Sequence, residues 1–221
     1  MSQLPAVEIA RAATPQGEIA LRRRGAVVEL IVNGVFAMDS AEVASEIALA
    51  DAAGPAPGRV LVGGLGLGYT AARLLDNGVR HIDVVELARP LIDWAVQGVT
   101  DQLERVAHDP RVQLHHGDVA EWLPRRPDAF DAILLDVDNG PAFLIHDRNA
   151  RIYAADWLRS ALDRLAPTGV LVIWSEDAVP ALAWTLATLG NLEESVVAVQ
   201  REGRRFDYVL YRLRRGTNVQ S

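Results

Sequence analysis

The apolar and polar positions of this chain change period along its length. From Glu18 to Phe36 they alternate, interrupted at Gly25 and at Asn33-Gly34, which is the pattern of short antiparallel strands joined by tight turns. "SAEVASEIALADAA" then spaces its apolar residues as a helix does, with Ser40 as the expected cap, and "GPAPG" at 54–58 breaks the chain. From Arg59 onward short apolar runs and helical segments take turns. They predict strand 59–63, helix 68–77, strand 81–86, helix 90–107, strand 111–115, a short helix at 119–123 and strand 130–135. A long helix from Asn149 to Leu165, strand 170–174 and a helix over 178–189 follow.

Strands that alternate with helices of this length form right-handed crossovers and a parallel sheet covered on both faces, so the expected class is doubly wound α/β. The end of the chain departs from that rhythm. "LEESVVAVQREGRRFDYVLYRLRR" holds two alternating runs joined through "REGRR" with no helix between them, which predicts a hairpin. A seven-stranded sheet with an antiparallel C-terminal hairpin is how the Rossmann-like methyltransferase fold finishes, and an all-parallel six-stranded dinucleotide fold does not finish this way. The expected organisation is an N-terminal β-hairpin appendage with a linking helix over 1–57, and a methyltransferase-fold domain over 58–221.

Composition narrows the function. Half of the 221 residues are apolar, enough for a substantial core. Apolar runs such as Ala132 to Leu135 and Val170 to Trp174 fall far short of the roughly 20 residues that span a bilayer. The N-terminal stretch has no basic segment followed by an apolar one, so a cytoplasmic protein with no membrane partner is expected. With no cysteine there is no disulfide, zinc thiolate or thiol nucleophile. A net charge of -7 argues against a nucleic-acid partner. All 22 cationic residues are arginine, and the clusters at 22–24, 125–126 and 214–215 read as solvated faces.

The candidate chemistry starts in "RVLVGGLGLGYTAARLL", residues 59–75, where a strand runs into a glycine turn and a helix. Gly64, Gly66 and Gly68 leave backbone N–H groups and a positive helix end facing a ligand. The turn suits a nicotinamide dinucleotide or an S-adenosyl compound and does not choose between them. Glu86, followed by Leu87, ends the next strand, where a carboxylate accepts from ribose hydroxyls. Gly117, Asp118 and Val119 follow the third strand: Asp118 can accept from the adenine amine or cap the following helix, and Val119 can lie against the ring. The fourth strand ends in "FDAILLDVDNGPAFLIHDRN", which places Asp136 and Asp138 beyond the sheet's carboxyl edge. Paired carboxylates there suit an amine nucleophile, which they orient and relieve of a proton. Asn139 and His146 in the same loop, and Ser175 and Glu176 at the end of the fifth strand, are candidate substrate contacts. His115 and His116 point to opposite faces of a strand and make no shared metal site. Tyr153 and Trp157 read as core packing.

From about Gly17 to Arg212 the chain resembles the spermidine synthase family and its methyltransferase-like relatives. The resemblance rests on "LIVNGVF", the glycine turn, "VVEL", "DPRVQLHHGD", the aspartate loop reaching "NGPA", and "IYAADWLRSALDRLAPTGVLVIWSED". It implies S-adenosylmethionine or its decarboxylated form as donor, catalysis by aspartates at the end of the fourth strand, a small-molecule acceptor and a homodimer. The family's aminopropyltransferases carry an aspartate inside the glycine turn, where this chain has Leu67, and a Tyr-His-Glu segment that "MDSAEVASEIALADA" lacks. The aspartate loop is also shorter. On these grounds methyl transfer to a small amine or similar nucleophile is expected. The alternatives are an aminopropyltransferase using decarboxylated S-adenosylmethionine and a non-catalytic nucleotide-binding protein.

Overall fold

The computed structural model describes residues 5–127, 129–137, 147–201 and 204–216. Two sheets form. The first is a four-stranded antiparallel meander of β1 (Val7–Thr14), β2 (Gly17–Arg24), β3 (Val27–Val32) and β4 (Val35–Asp39). Gly25 and Asn33-Gly34 make the expected turns, with Asn33 in the left-handed region at φ 53°. Strand β1 was not anticipated, and it pairs with β2 through a register shift between Glu8 and Ala10. That bulge disrupts the alternation by which a strand is recognised.

Helix α1 (Ala44–Asp51) links the sheets, and Ser40 does not cap it. The Ser40 hydroxyl oxygen instead accepts from the Val28 N–H at 2.9 Å, while Asp39 accepts from the N–H groups of Ala41 and Glu42. Then come β5 (Arg59–Gly63), α2 (Tyr69–Asp76), β6 (His81–Glu86), α3 (Arg89–Val96), α4 (Asp101–His108), β7 (Val112–His116), α5 (Val119–Trp122) and β8 (Phe130–Leu135). The helix expected over 90–107 is therefore two. Gly98 turns the chain at φ 68°, and Thr100 caps α4 by accepting from the Leu103 N–H. The helix expected from Asn149 is also divided. A 3-10 segment (Asp147–Tyr153) precedes α6 (Ala155–Asp163), with Ala154 extended between them. Strand β9 (Leu165–Ser175) starts five residues earlier than expected and is followed by α7 (Pro180–Leu189), β10 (Gly190–Arg201) and β11 (Arg204–Arg215).

The second sheet has the order β10-β11-β9-β8-β5-β6-β7. Strands β5 to β9 pair in parallel, and β11 joins β9 antiparallel with β10 folded back outside it, so the hairpin is as predicted. One apolar cluster lies on the α1–α2–α4 face and takes in Ile19, Leu21 and Leu30 of the first sheet, so the two sheets share a core. The other lies under α5, α6 and α7, and includes Leu61, Ile133, Leu171 and Ile173. Among the described residues no helix is long and apolar enough to cross a membrane.

Leu61, on the central strand β5, is fully buried, whereas Val196 on the edge strand is 63% exposed. Leu61→Ala should cost about 2–5 kcal/mol in urea unfolding. Val196→Ala should stay within about 0.5 kcal/mol. Equal costs would contradict this account of the core.

Candidate functional site

The carboxyl ends of the parallel strands and the first sheet enclose a cavity of about 220 Å³. Strand β5 supplies the glycine turn. Gly64 (φ 98°) brings the backbone so close to the end of β8 that a Cβ there would lie 2.2 Å from the Asp136 carbonyl oxygen. Only glycine meets both demands. Glu86 at the end of β6 holds the turn from below: its carboxylate accepts from the Leu65 N–H at 2.8 Å and the Ala88 N–H at 2.7 Å. Burial pushes the Glu86 carboxyl up, while the N–H groups of Leu65, Ala88 and Leu87 and the nearby His116 hold it down.

Of the residues expected to bind the donor, Gly64, Gly66, Glu86, Leu87, Gly117, Asp118, Val119 and Asp136 all line this cavity. Gly68 does not. It caps α2 in the left-handed conformation and its carbonyl accepts from Gln102. Asp118 is the cap of α5, accepting from the Ala120 N–H at 2.9 Å, and it also pairs with Arg151. Both readings of its position therefore remain compatible with the structure. Glu176 lines the cavity, whereas Ser175 is fully buried and its hydroxyl donates to the Asp177 carbonyl at 2.7 Å, which removes it from the substrate contacts. Asp138, Asn139 and His146 lie outside the described residues. Tyr153 and Trp157 pack against the second cluster, as expected. His115 binds Asp83 at 2.7 Å, away from the cavity lining.

Leu67 needs correction. Its side chain is 2% exposed and belongs to the core, so it does not face the cavity. Gly66 faces it, and a Cβ there would lie 2.8 Å from Met38 Sδ. The same sulfur accepts from the Leu67 N–H at 3.3 Å. The turn is thus covered by a methionine from β4, although its glycines were expected to leave it open.

Asp136 lines the cavity, half-buried. The Thr70 hydroxyl donates to its Oδ2 at 2.8 Å. Burial pushes its carboxyl up to about 6, against the Thr70 bond, which lowers it. Sequence reasoning missed Thr70, Met38, Glu46, Trp174 and Tyr208. Thr70 alone carried a signal, being a hydroxyl just inside the helix that the glycine turn opens.

The lining is strongly acidic. Glu18, Glu46, Glu86, Asp118, Asp136 and Glu176 border the cavity, and among the described residues no arginine or histidine does. Arg11 and Arg151 pair with Glu18 and Asp118 from outside it.

A model of the spermine/spermidine synthase domain matches residues 44–200. The chain belongs to this family. It is 32% identical over 142 residues to the polyamine aminopropyltransferase of Nitrosomonas europaea, which covers 62% of this chain and 42% of that protein. It is 32% identical over 125 residues to a spermine synthase of Arabidopsis thaliana, covering 55% of this chain and 33% of that one. The chain thus matches less than half the length of these curated relatives. A crystal structure of spermidine synthase with the transition-state analogue AdoDATO has a TM-score of 0.74 at 16% identity, over 93% of this chain and 73% of that one. Thermotoga maritima spermidine synthase gives 0.73 at 16% identity, over 93% and 72%. These likenesses establish the spermidine synthase fold, with its seven-stranded sheet, terminal hairpin and N-terminal antiparallel sheet.

The raised carboxyl of Asp136 gives a stability test whose sign is fixed. A folded-state value raised from the ordinary 3.8 to about 6 means that ionisation opposes folding, so stability is fully present below about 3.8 and is lost as pH rises through about 6. Asp136→Asn should be more stable than wild type by about 1–3 kcal/mol at about pH 8 and by almost nothing at about pH 4. A melting-temperature difference independent of pH would contradict the burial of this charge.

Proposed function

We propose that the chain is a transferase that moves an aminopropyl group from decarboxylated S-adenosylmethionine to a small amine. The observation that carries this reading is the charge of the cavity. The decarboxylated donor brings a sulfonium and an ammonium and no anion, which suits a lining of carboxylates with no cationic side chain among its described residues. Intact S-adenosylmethionine adds a carboxylate that would meet like charge there. Relatives named polyamine aminopropyltransferase and spermine synthase support the same choice.

In this reading Glu86 accepts from the ribose hydroxyls, Asp118 and Val119 receive the adenine, and the sulfonium lies near the glycine turn. The neutral amine attacks the carbon next to sulfur. A nitrogen–carbon bond forms, the carbon–sulfur bond breaks with its electron pair going to sulfur, and methylthioadenosine leaves. The proton released from nitrogen passes to the Asp136 carboxylate and then to water. At neutral pH that carboxylate is mostly ionised and available. The protein supplies mainly alignment, since a sulfonium is already a good leaving group. Asp138 keeps its place as a second catalytic candidate on the same loop.

Methyl transfer, ranked first in the sequence, leaned on Leu67 in place of an acid, and that side chain is turned into the core. It stays as the second reading because no acid stands in the glycine turn at all, Met38 covering Gly66 instead. The two readings differ in their nucleoside product. Incubation with a diamine and each donor in turn should yield methylthioadenosine from the decarboxylated donor. S-adenosylhomocysteine from the intact donor, with no methylthioadenosine from the other, would overturn the aminopropyl reading.

A further inference from the structure

In the transfer reading the donor's ammonium still needs a partner. Glu18 and Asp118 pair with Arg11 and Arg151, Glu86 holds the backbone of the glycine turn, and Asp136 receives the proton of the attacking amine. The sulfonium lies near the glycine turn, and a propyl chain keeps the ammonium close to it. Yet Leu67 is turned into the core and the turn carries no acid.

Helix α1 supplies one. Its Leu49 and Ala50 share an apolar cluster with Ala71, Leu74 and Leu75 of α2. Towards the ends of the two helices the Asp51 carboxylate accepts from Arg73 at 2.7 Å and from Asn77 at 2.8 Å. Towards their starts Glu46 lies near Tyr69: burial pushes the Tyr69 hydroxyl up and the charges of Glu46 and Asp39 add to this, against a bond with Ser40 that lowers it. The helices therefore run side by side in the same direction, which brings the first turn of α1 to the glycine turn that opens α2. There Glu46, partly buried, lines the cavity together with Gly64, Gly66 and Met38. The Ser45 hydroxyl donates to its Oε2 at 2.7 Å and steadies the carboxylate.

We infer, resting on the transfer reading above, that Glu46 selects the decarboxylated donor by taking its aminopropyl ammonium, α1 providing the acid that the glycine turn lacks. Met38, which covers Gly66, offers the propyl chain an apolar wall beside that carboxylate. The intact donor carries a carboxylate on the carbon that bears the ammonium, so the same grip would bring two anions together.

Calorimetric titration of the full chain without acceptor can compare decarboxylated S-adenosylmethionine with its dimethylsulfonium analogue, in which a methyl group replaces the aminopropyl chain. Both keep the adenosine and the sulfonium, so their difference reports the ammonium. Glu46→Gln should weaken the decarboxylated donor about tenfold and change the analogue by less than about twofold, its binding showing that the variant is folded. A loss equal for both ligands, or no loss, overturns the inference. So does an equally selective loss in Glu18→Gln, which removes the same unit of charge elsewhere in the lining. Equal affinities of the wild-type protein for the two ligands overturn it with no variant needed. Because the readout is binding, a selective loss in Glu46→Gln without any aminopropyl transfer by the wild type overturns the reaction reading and leaves the ammonium contact standing.

Discussion

The bidentate grip of the Glu86 carboxylate on the N–H groups of Leu65 and Ala88 is the constraint on which the site depends. It ties the glycine turn after β5 to the start of α3 after β6, and so fixes two neighbouring loops at the carboxyl edge of the sheet. With Leu65 held, the chain passes through positive φ at Gly64, Gly66 and Gly68. Gly64 is then pressed against the Asp136 carbonyl, which sets the spacing between the donor turn and the loop that bears the catalytic candidate. Backbone amides hold both of its oxygens, with His116 nearby.

The same strand treats a second carboxylate in the opposite way. Asp83, three residues earlier on β6, is buried and met by Arg59 at 2.8 Å, His115 at 2.7 Å and His81 at 3.3 Å. Against the cost of burial, His115 and Arg59 hold its carboxyl down to about 2. Asp83 is neutralised inside the protein, whereas Glu86 and Asp136 meet only uncharged donors, the backbone amides and the Thr70 hydroxyl. A site lined by carboxylates favours cationic substrates. The first sheet closes it over that charge: Asn33 accepts from the Glu18 N–H and donates to the Gln16 carbonyl, pinning one turn of the meander against another at the cavity's wall.

Much of this was legible in the sequence because it is local. Strands β5, β6 and β8 have the bounds their apolar runs predict, since each run ends where glycine or a carboxylate takes over. The split of the helix after Arg89 was marked by Gly98 and the Thr100 cap, but an unbroken apolar stripe outweighed them. Glu86, Asp118 and Asp136 were found because the fold sends every strand end to one edge. Met38, Glu46, Trp174 and Tyr208 carried no such mark. They reach the cavity from β4, α1, β9 and β11, and only the packing of the first sheet and the terminal hairpin brings them together. The reversal at Leu67 has a different cause. Which side chain of a glycine turn faces the ligand is set by the signs of φ, and residue spacing does not disclose them.

The central claim is that a cavity bordered by six carboxylates, with no cationic side chain among its described lining residues, chooses its donor by charge. Calorimetric titration of the wild-type protein with decarboxylated and intact S-adenosylmethionine, without acceptor, tests it most directly. The account predicts that the decarboxylated donor binds at least about tenfold more tightly, the effect of about 1.4 kcal/mol from one misplaced carboxylate. Equal affinities, or tighter binding of the intact donor, would contradict it.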